Sequence, residues 1–189
     1  MRIGCVVMAA GNAVRFGENK LAALFAGKPL IRHTLEAVPQ ELETVVVTQY
    51  PEVEAMAAEF GFASLKNIHP DWGISHTIRL GTEFLSHCDG ILYLVSDQPL
   101  LQKDSVQLVV EAWKSHPDRI VGAAHEGKRG NPNLFPRRFF PELMELQEDC
   151  GGNGVIRRHG EELVLVEIPK AQLSDVDTPA ALQKLHQER

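Results

Sequence analysis

Thirteen residues near the amino end, Met8-Ala-Ala-Gly-Asn-Ala-Val-Arg-Phe-Gly-Glu-Asn-Lys20, hold the densest chemistry in the chain. They follow Ile3-Gly-Cys-Val-Val-Met8, an apolar run with the length and β-branched content of a buried strand. Small residues, two glycines, an arginine and a lysine after a strand can build a backbone cradle for a polyanion. Glycine lets the main chain approach a ligand, successive N–H groups can face oxygen, and Arg15 and Lys20 add positive charge. The loop is not a Walker A loop, because Gly17 is followed by Glu-Asn rather than Lys-Ser or Lys-Thr. Nor is it the dinucleotide fingerprint, since Gly11 and Gly17 stand too far apart. Composition alone also allows a plain strand-to-helix connection with two solvated cations.

A second candidate is Ser96-Asp-Gln-Pro-Leu-Leu101, directly after the strongest strand signal, Gly90-Ile-Leu-Tyr-Leu-Val-Ser96. An aspartate in that place is held at the carboxyl rim of a sheet, where Mg²⁺ takes hard oxygen ligands and bridges phosphates. Asp97 could equally cap the next helix or close a turn. The third candidate is Leu173-Ser-Asp-Val-Asp-Thr-Pro179. Thr178 and Pro179 suit an N-cap and first helical position, which explains them without function. Asp175 and Asp177 repel one another unless a cation or solvent relieves them; an acidic surface turn is the alternative.

These residues need a scaffold, and the pattern of the chain supplies one. Helices are expected over Pro29–Val38, from Pro51 to a stop at Gly61, from about Ser75, over Lys103–His116, around Arg138–Gln147 and Gly154–His159, and over Pro179–Gln187. Strands are expected at Thr44–Thr48, Ala63–Leu65, Gly90–Ser96, Ile120–Ala124, Pro132–Phe135 and Leu163–Ile168, with a polar turn at Glu126–Gly130. Short strands alternating with helices imply an α/β fold: three layers around a mostly parallel sheet, with ligands outside the carboxyl ends of the strands. No repeat or linker divides the chain, so residues 1–189 are expected to form one domain.

Composition bounds the function. A net charge of −6 gives no footprint for nucleic acid, so an anion must be met by a local cluster such as the Gly11–Lys20 loop. No apolar run is long enough to span a bilayer and no leader pattern is present, so a cytoplasmic protein without membrane contact is expected. Cys5, Cys88 and Cys150 form no Cys-x-x-Cys pair and suggest neither disulfides nor structural zinc. The histidines, among them His33, His76 and His159, are given no catalytic role.

Four segments occur together in order: Ala9-Ala-Gly11…Arg15-Phe-Gly17…Lys20; Asp97-Gln-Pro99; Gly130-Asn-Pro132 with Phe135-Pro136; and Asp175-Val-Asp-Thr-Pro179. With these the chain resembles the MobA-like nucleotidyltransferases, most closely the molybdenum cofactor cytidylyltransferases, from Ile3 to about Leu185. Asn67…Trp72-Gly-Ile-Ser75…Arg79-Leu-Gly81 resembles the substrate-side segment of that family. The resemblance implies a Rossmann-like nucleotidyltransferase fold and transfer of CMP from CTP to the terminal phosphate of molybdopterin, with pyrophosphate released. It implies a catalytic set of Arg15, Lys20 and Asp97. It further implies nucleotide contacts from Ala9, Ala10, Gly11, Asn12, Arg15, Gly17, Lys20, Ser75, Asp97 and Gln98, and Mg²⁺ on Asp97 and Asp177. Such chemistry is positioning and charge neutralisation, which suits a site of amides, cations and carboxylates.

The resemblance favours CTP over GTP: the cytidylyltransferases of the family are similar in having Ala9-Ala10 before Gly11 and Gln98 after Asp97. Guanylyltransferase relatives usually carry glycine at the position of Ala10, where a methyl group leaves less room for a purine. The chain departs from the family pattern at Ala13, where serine is common, and at Asn153, where arginine is usual. The alternatives are guanylyl transfer, another phosphorylated acceptor, or a non-catalytic carrier of molybdopterin or nucleotide. Retention of Lys20, Asp97 and Asp177 argues against the carrier, and the missing Gly-x-Gly-x-x-Gly against a dehydrogenase. A recipient molybdoenzyme or its maturation chaperone is the expected protein partner.

Overall fold

The computed structural model describes residues 1–12, 16 and 19–187. Strand β1 (Ile3–Ala9) is followed by a 3-10 turn at Lys20–Ala22 and a small hairpin of β2 (Leu24–Phe25) and β3 (Lys28–Pro29). Then come α1 (Leu30–Ala37), β4 (Glu43–Thr48), α2 (Pro51–Glu59), β5 (Ala63–Lys66), α3 (Ile74–Phe84), β6 (Gly90–Val95) and α4 (Lys103–Ser115). The second half carries β7 (Ile120–His125), β8 (Lys128–Pro136), α5 (Phe140–Met144), α6 (Asn153–Arg158), β9 (Leu163–Glu167) and α7 (Pro179–Gln187).

Seven strands form one sheet in the order β5-β4-β1-β6-β8-β7-β9. All neighbours are parallel except β8, which runs against both β6 and β7. The central strands are apolar on both faces and alternate between two cores. Cys5, Val7, Val46, Leu92 and Leu94 meet α1, α2 and α4 through Ile31, Val53 and Trp113. Val6, Val45, Val47, Ile91 and Tyr93 meet α3, α5 and α6 through Ile78, Leu143 and Ile156. This is the expected three-layer arrangement, and the two-residue period of the strands produces it.

The expected strand Pro132–Phe135 is longer, reaching back to Lys128, and the expected Glu126–Gly130 turn shrinks to two residues. Glu126 and Gly127 both have positive φ (48° and 72°), the requirement of a tight primed hairpin. Both their N–H groups donate to Glu167 on β9. The helix expected over Arg138–Gln147 is a 3-10 turn, Arg137–Phe139, running into the short α5.

The chain runs outward from β1 through β4 to β5, then crosses back to place β6 on the other side of β1. Between β1 and β6 the connections leave in opposite directions, which opens a crevice at the carboxyl ends of these two strands. Among the described residues no helix is long and apolar enough to cross a membrane.

Candidate active site

Three chain segments meet at that crevice. The first continues β1. Thr48 Oγ1 donates to the Ala9 carbonyl (2.9 Å), Gln49 Nε2 to the Ala10 carbonyl (3.0 Å) and Tyr50 Oη to the Gly11 carbonyl (3.0 Å). Gln49 Nε2 also donates to Asn12 Oδ1 at 2.9 Å. In a planar trans peptide the N–H points opposite to the carbonyl. With carbonyls 9, 10 and 11 turned toward the end of β4, the N–H groups of Ala10, Gly11 and Asn12 turn the other way. Among the described residues none of the three donates to another protein atom. All three residues line a cleft of about 440 Å³.

The second segment is the lysine turn. Asn19 caps it, accepting from Leu21 N–H (3.1 Å) and donating to Glu52 (2.6 Å). Lys20 Nζ then reaches across the cleft. It donates to Asp97 Oδ2 at 2.8 Å, to Asp177 Oδ1 at 3.2 Å and to the Val176 carbonyl at 3.3 Å. Burial works against this charge, but the Asp97 and Asp177 carboxylates outweigh it and hold the lysine pKa above its ordinary value.

The third segment joins the two acidic corners. Val176 N–H donates to the Asp97 carbonyl at 2.8 Å, and the Val176 side chain is buried with Phe25 and Leu30. Gln98 Nε2 donates to Asp175 Oδ1 (2.9 Å) and to the Leu173 carbonyl (3.3 Å). Gln98 therefore fastens the Leu173–Asp177 turn to the end of β6. Burial, and next the Asp97 carboxylate, push the Asp175 pKa up. Thr178 Oγ1 accepts from Ala181 N–H (3.1 Å) as the N-cap of α7, the role its sequence suggests.

The outer wall comes from residues 69–79 packed on residues 146–149. Gly73 has φ +81°, and a Cβ there would meet the Glu148 backbone at 2.4 Å. Ser75 N–H donates to the Glu148 carbonyl (3.1 Å) and Arg79 Nη1 to the Leu146 carbonyl (2.6 Å). Trp72, half exposed, stacks on His69 with ring centroids 4.0 Å apart and planes 6° from parallel. Burial, then the nearby Arg79 charge, lowers the pKa of His76, which meets Trp72 edge-on. On the other side, through Met8, Ile74 and Val95, the cleft adjoins a small cavity lined by Tyr93, Phe135 and the amides Asn131, Asn133 and Asn153.

Of the sequence candidates, Ala10, Gly11, Asn12, Lys20 and Asp97 line one cleft, and Asp177 joins them through Lys20. Arg15 and Gly17 lie outside the described residues. Three candidates are arranged otherwise. Ala9 is fully buried at the end of β1, with its carbonyl on Thr48. Ser75 is buried with its hydroxyl toward the Trp72 carbonyl (3.5 Å), and its neighbours Ile74 and Thr77 line the cleft instead. Gln98 is buried and spends its amide N–H groups on the acidic turn, while its Oε1 is buried without a partner. Gln49 and Tyr50, which face the first loop, carry no signal in the sequence beyond the end of a strand.

A sequence model of the MobA-like NTP transferase domain matches residues 5–163. The chain belongs to that family. PucB, a purine catabolism protein of Bacillus subtilis (strain 168), is 27% identical and aligns with 92% of this chain and 91% of its own length. A probable molybdenum cofactor guanylyltransferase of Thermococcus sibiricus is 30% identical, over 75% of this chain and 70% of its own. A solved nucleotidyl transferase from Methanothermobacter thermautotroptrophicus superposes with a TM-score of 0.82 at 20% identity, covering 99% of this chain and 97% of that one. The chain is thus a MobA-like nucleotidyltransferase with a Rossmann-like fold. The family match covers the first loop and the Asp97 corner; the Asp177 corner lies beyond it.

Proposed function

We propose that this nucleotidyltransferase moves CMP from CTP to the terminal phosphate of molybdopterin, with or without its metal, in a Mg²⁺-dependent reaction that releases pyrophosphate. One observation carries the reading. The Lys20 ammonium lies within 2.8 Å of Asp97 and 3.2 Å of Asp177, at the edge of a row of N–H groups that have no protein partner among the described residues.

A triphosphate laid over that row meets donors from Ala10, Gly11 and Asn12, with Lys20 beside it. The acceptor phosphate oxygen bonds to the α-phosphorus, and the bond from that phosphorus to the bridging oxygen of the leaving pyrophosphate breaks. No side chain has to form a covalent intermediate, so alignment and charge neutralisation supply the rate. Two carboxylates from separate segments already gathered about one cation are a fitting donor set for a hard divalent ion. Asp97 and Asp177 would hold Mg²⁺, which when bound neutralises charge on the phosphate oxygens. The cavity beside Asn153 sets a few amides in a mostly apolar lining, with Asn133 already bonded to Gly130 and Asn131. An uncharged ring bearing a few polar atoms suits it, which supports a heterocyclic acceptor on that side.

The base choice rests on the resemblance at Ala10, a residue lining the cleft where guanylyltransferase relatives usually carry glycine, so that an added methyl group would leave less room for a purine. Guanylyl transfer is the second reading, favoured by the name of the Thermococcus relative. Incubation with each of the four nucleoside triphosphates, Mg²⁺ and molybdopterin, followed by pyrophosphate assay, separates them. Release with CTP alone is the expected result. Release with GTP alone establishes the second reading, and release with none of the four overturns both.

A further inference from the structure

Parallel pairing of β1 with β4 ends at Ala9 and Thr48, so the residues that follow run side by side. Three successive side chains, Thr48, Gln49 and Tyr50, then take three successive carbonyls, those of Ala9, Ala10 and Gly11. The brace is itself anchored. Thr48 Oγ1 accepts from Tyr50 N–H (3.1 Å), and the Tyr50 carbonyl accepts from Val53 and Glu54 N–H at the start of α2. The two peptide units on either side of Gly11 are the ones most able to rotate, because glycine has no Cβ to oppose it. Those are the units whose carbonyls Gln49 and Tyr50 hold. A rotated unit would present a carbonyl oxygen to the cleft in place of a donor, which an anion repels.

We infer that Gln49 and Tyr50, with Thr48 behind them, are positioning residues that keep the N–H groups of Ala10, Gly11 and Asn12 aimed at polyphosphate. The inference rests on the nucleotidyl-transfer reading of the cleft. It adds that affinity for the phosphate chain is set in part by side chains at the end of β4 and in its connection to α2 that do not touch it.

The test titrates the full chain with inorganic triphosphate by calorimetry, beside Mn²⁺ binding followed by electron paramagnetic resonance. Tyr50→Phe and Gln49→Leu should each weaken triphosphate binding roughly 3- to 10-fold, the loss of a neutral hydrogen bond. Mn²⁺ affinity and the melting midpoint should stay at wild-type values, because Asp97 and Asp177 are held by other contacts. Should one variant fail to fold, the other carries the test. Unchanged triphosphate affinity in the folded variants overturns the inference. So does a joint loss of triphosphate and Mn²⁺ binding with a lowered midpoint, which would mean fold support only. A wild-type chain that binds no triphosphate, and that Lys20→Ala leaves no different, instead removes the proposed function on which the inference stands.

Discussion

Lys20 occupies a point where two needs oppose each other. Without a ligand its ammonium relieves the repulsion between Asp97 and Asp177; with a triphosphate bound it is wanted on phosphate oxygens. Lys20→Ala should therefore weaken triphosphate binding by about 1.5–3 kcal/mol, the scale of a charge-assisted hydrogen bond, as read by calorimetry. Asp175 gives a second residue-scale test. Its pKa is raised, by burial and then by Asp97, so its contribution to stability is fully present below the ordinary carboxylate range and is lost as pH rises through the raised value. Asp175→Asn keeps an acceptor for Gln98 and removes the charge. The variant should gain on the wild type between about pH 4 and pH 7, measured as the difference in urea midpoint at the two pH values. A constant difference would remove Asp175 from the coupled acidic turn.

At the scale of elements, the strands were legible where continuous β-branched runs left no alternative, as in Thr44–Thr48 and Gly90–Val95. They were less legible where the partner strand decides. Lys128–Asn131 carries no apolar signal and joins β8 because β7 pairs with it through the primed turn at Glu126 and Gly127. The two-residue strands β2 and β3 are too short for any periodicity to show. The site followed the same division. Lys20, Asp97 and Asp177 stood out as charges beside strand ends and turns, whereas Gln49 and Tyr50 act on the segment that continues the neighbouring strand, a relation set by register. Ser75 looked like a ligand contact but is held inward because α3 begins against Glu148. Gly73 makes that packing possible, with a positive φ and no room for a Cβ. Gly73→Ala should cost roughly 1–3 kcal/mol in urea unfolding, through strain and displacement of residues 146–149. An unaltered midpoint would show that the outer wall yields freely.

For the whole molecule, the site is assembled from distant parts of the chain. Lys20, Asp97 and Asp177 come from a loop, a strand end and the approach to the last helix, and the hairpin of β2 and β3 shares a small core with Val176. Occupation of the cleft should then stabilise the fold as a unit. Mg²⁺ with CTP at about a hundred times the dissociation constant should add about 2.7 kcal/mol, or roughly 5–10 °C in melting midpoint for a chain of this size. Asp97→Asn should abolish the part of the shift that needs Mg²⁺ while leaving the unliganded fold intact by circular dichroism. A full Mg²⁺-dependent shift in that variant would place the ion elsewhere.

The chain has two tryptophans, and their environments are opposites. Trp113 is sealed in the sheet–helix core at 1% exposure, whereas Trp72 stands at the rim of the cleft at 50% exposure, face to face with His69. The protein thereby carries an intrinsic optical gauge. A soluble quencher should reach one indole and spare the other, and nucleotide entering beside Asp71 and Gly73 should change the emission of Trp72 alone. Trp72→Phe would leave a silent, steady background from the interior, so filling of the cleft can be followed in real time without attaching a dye.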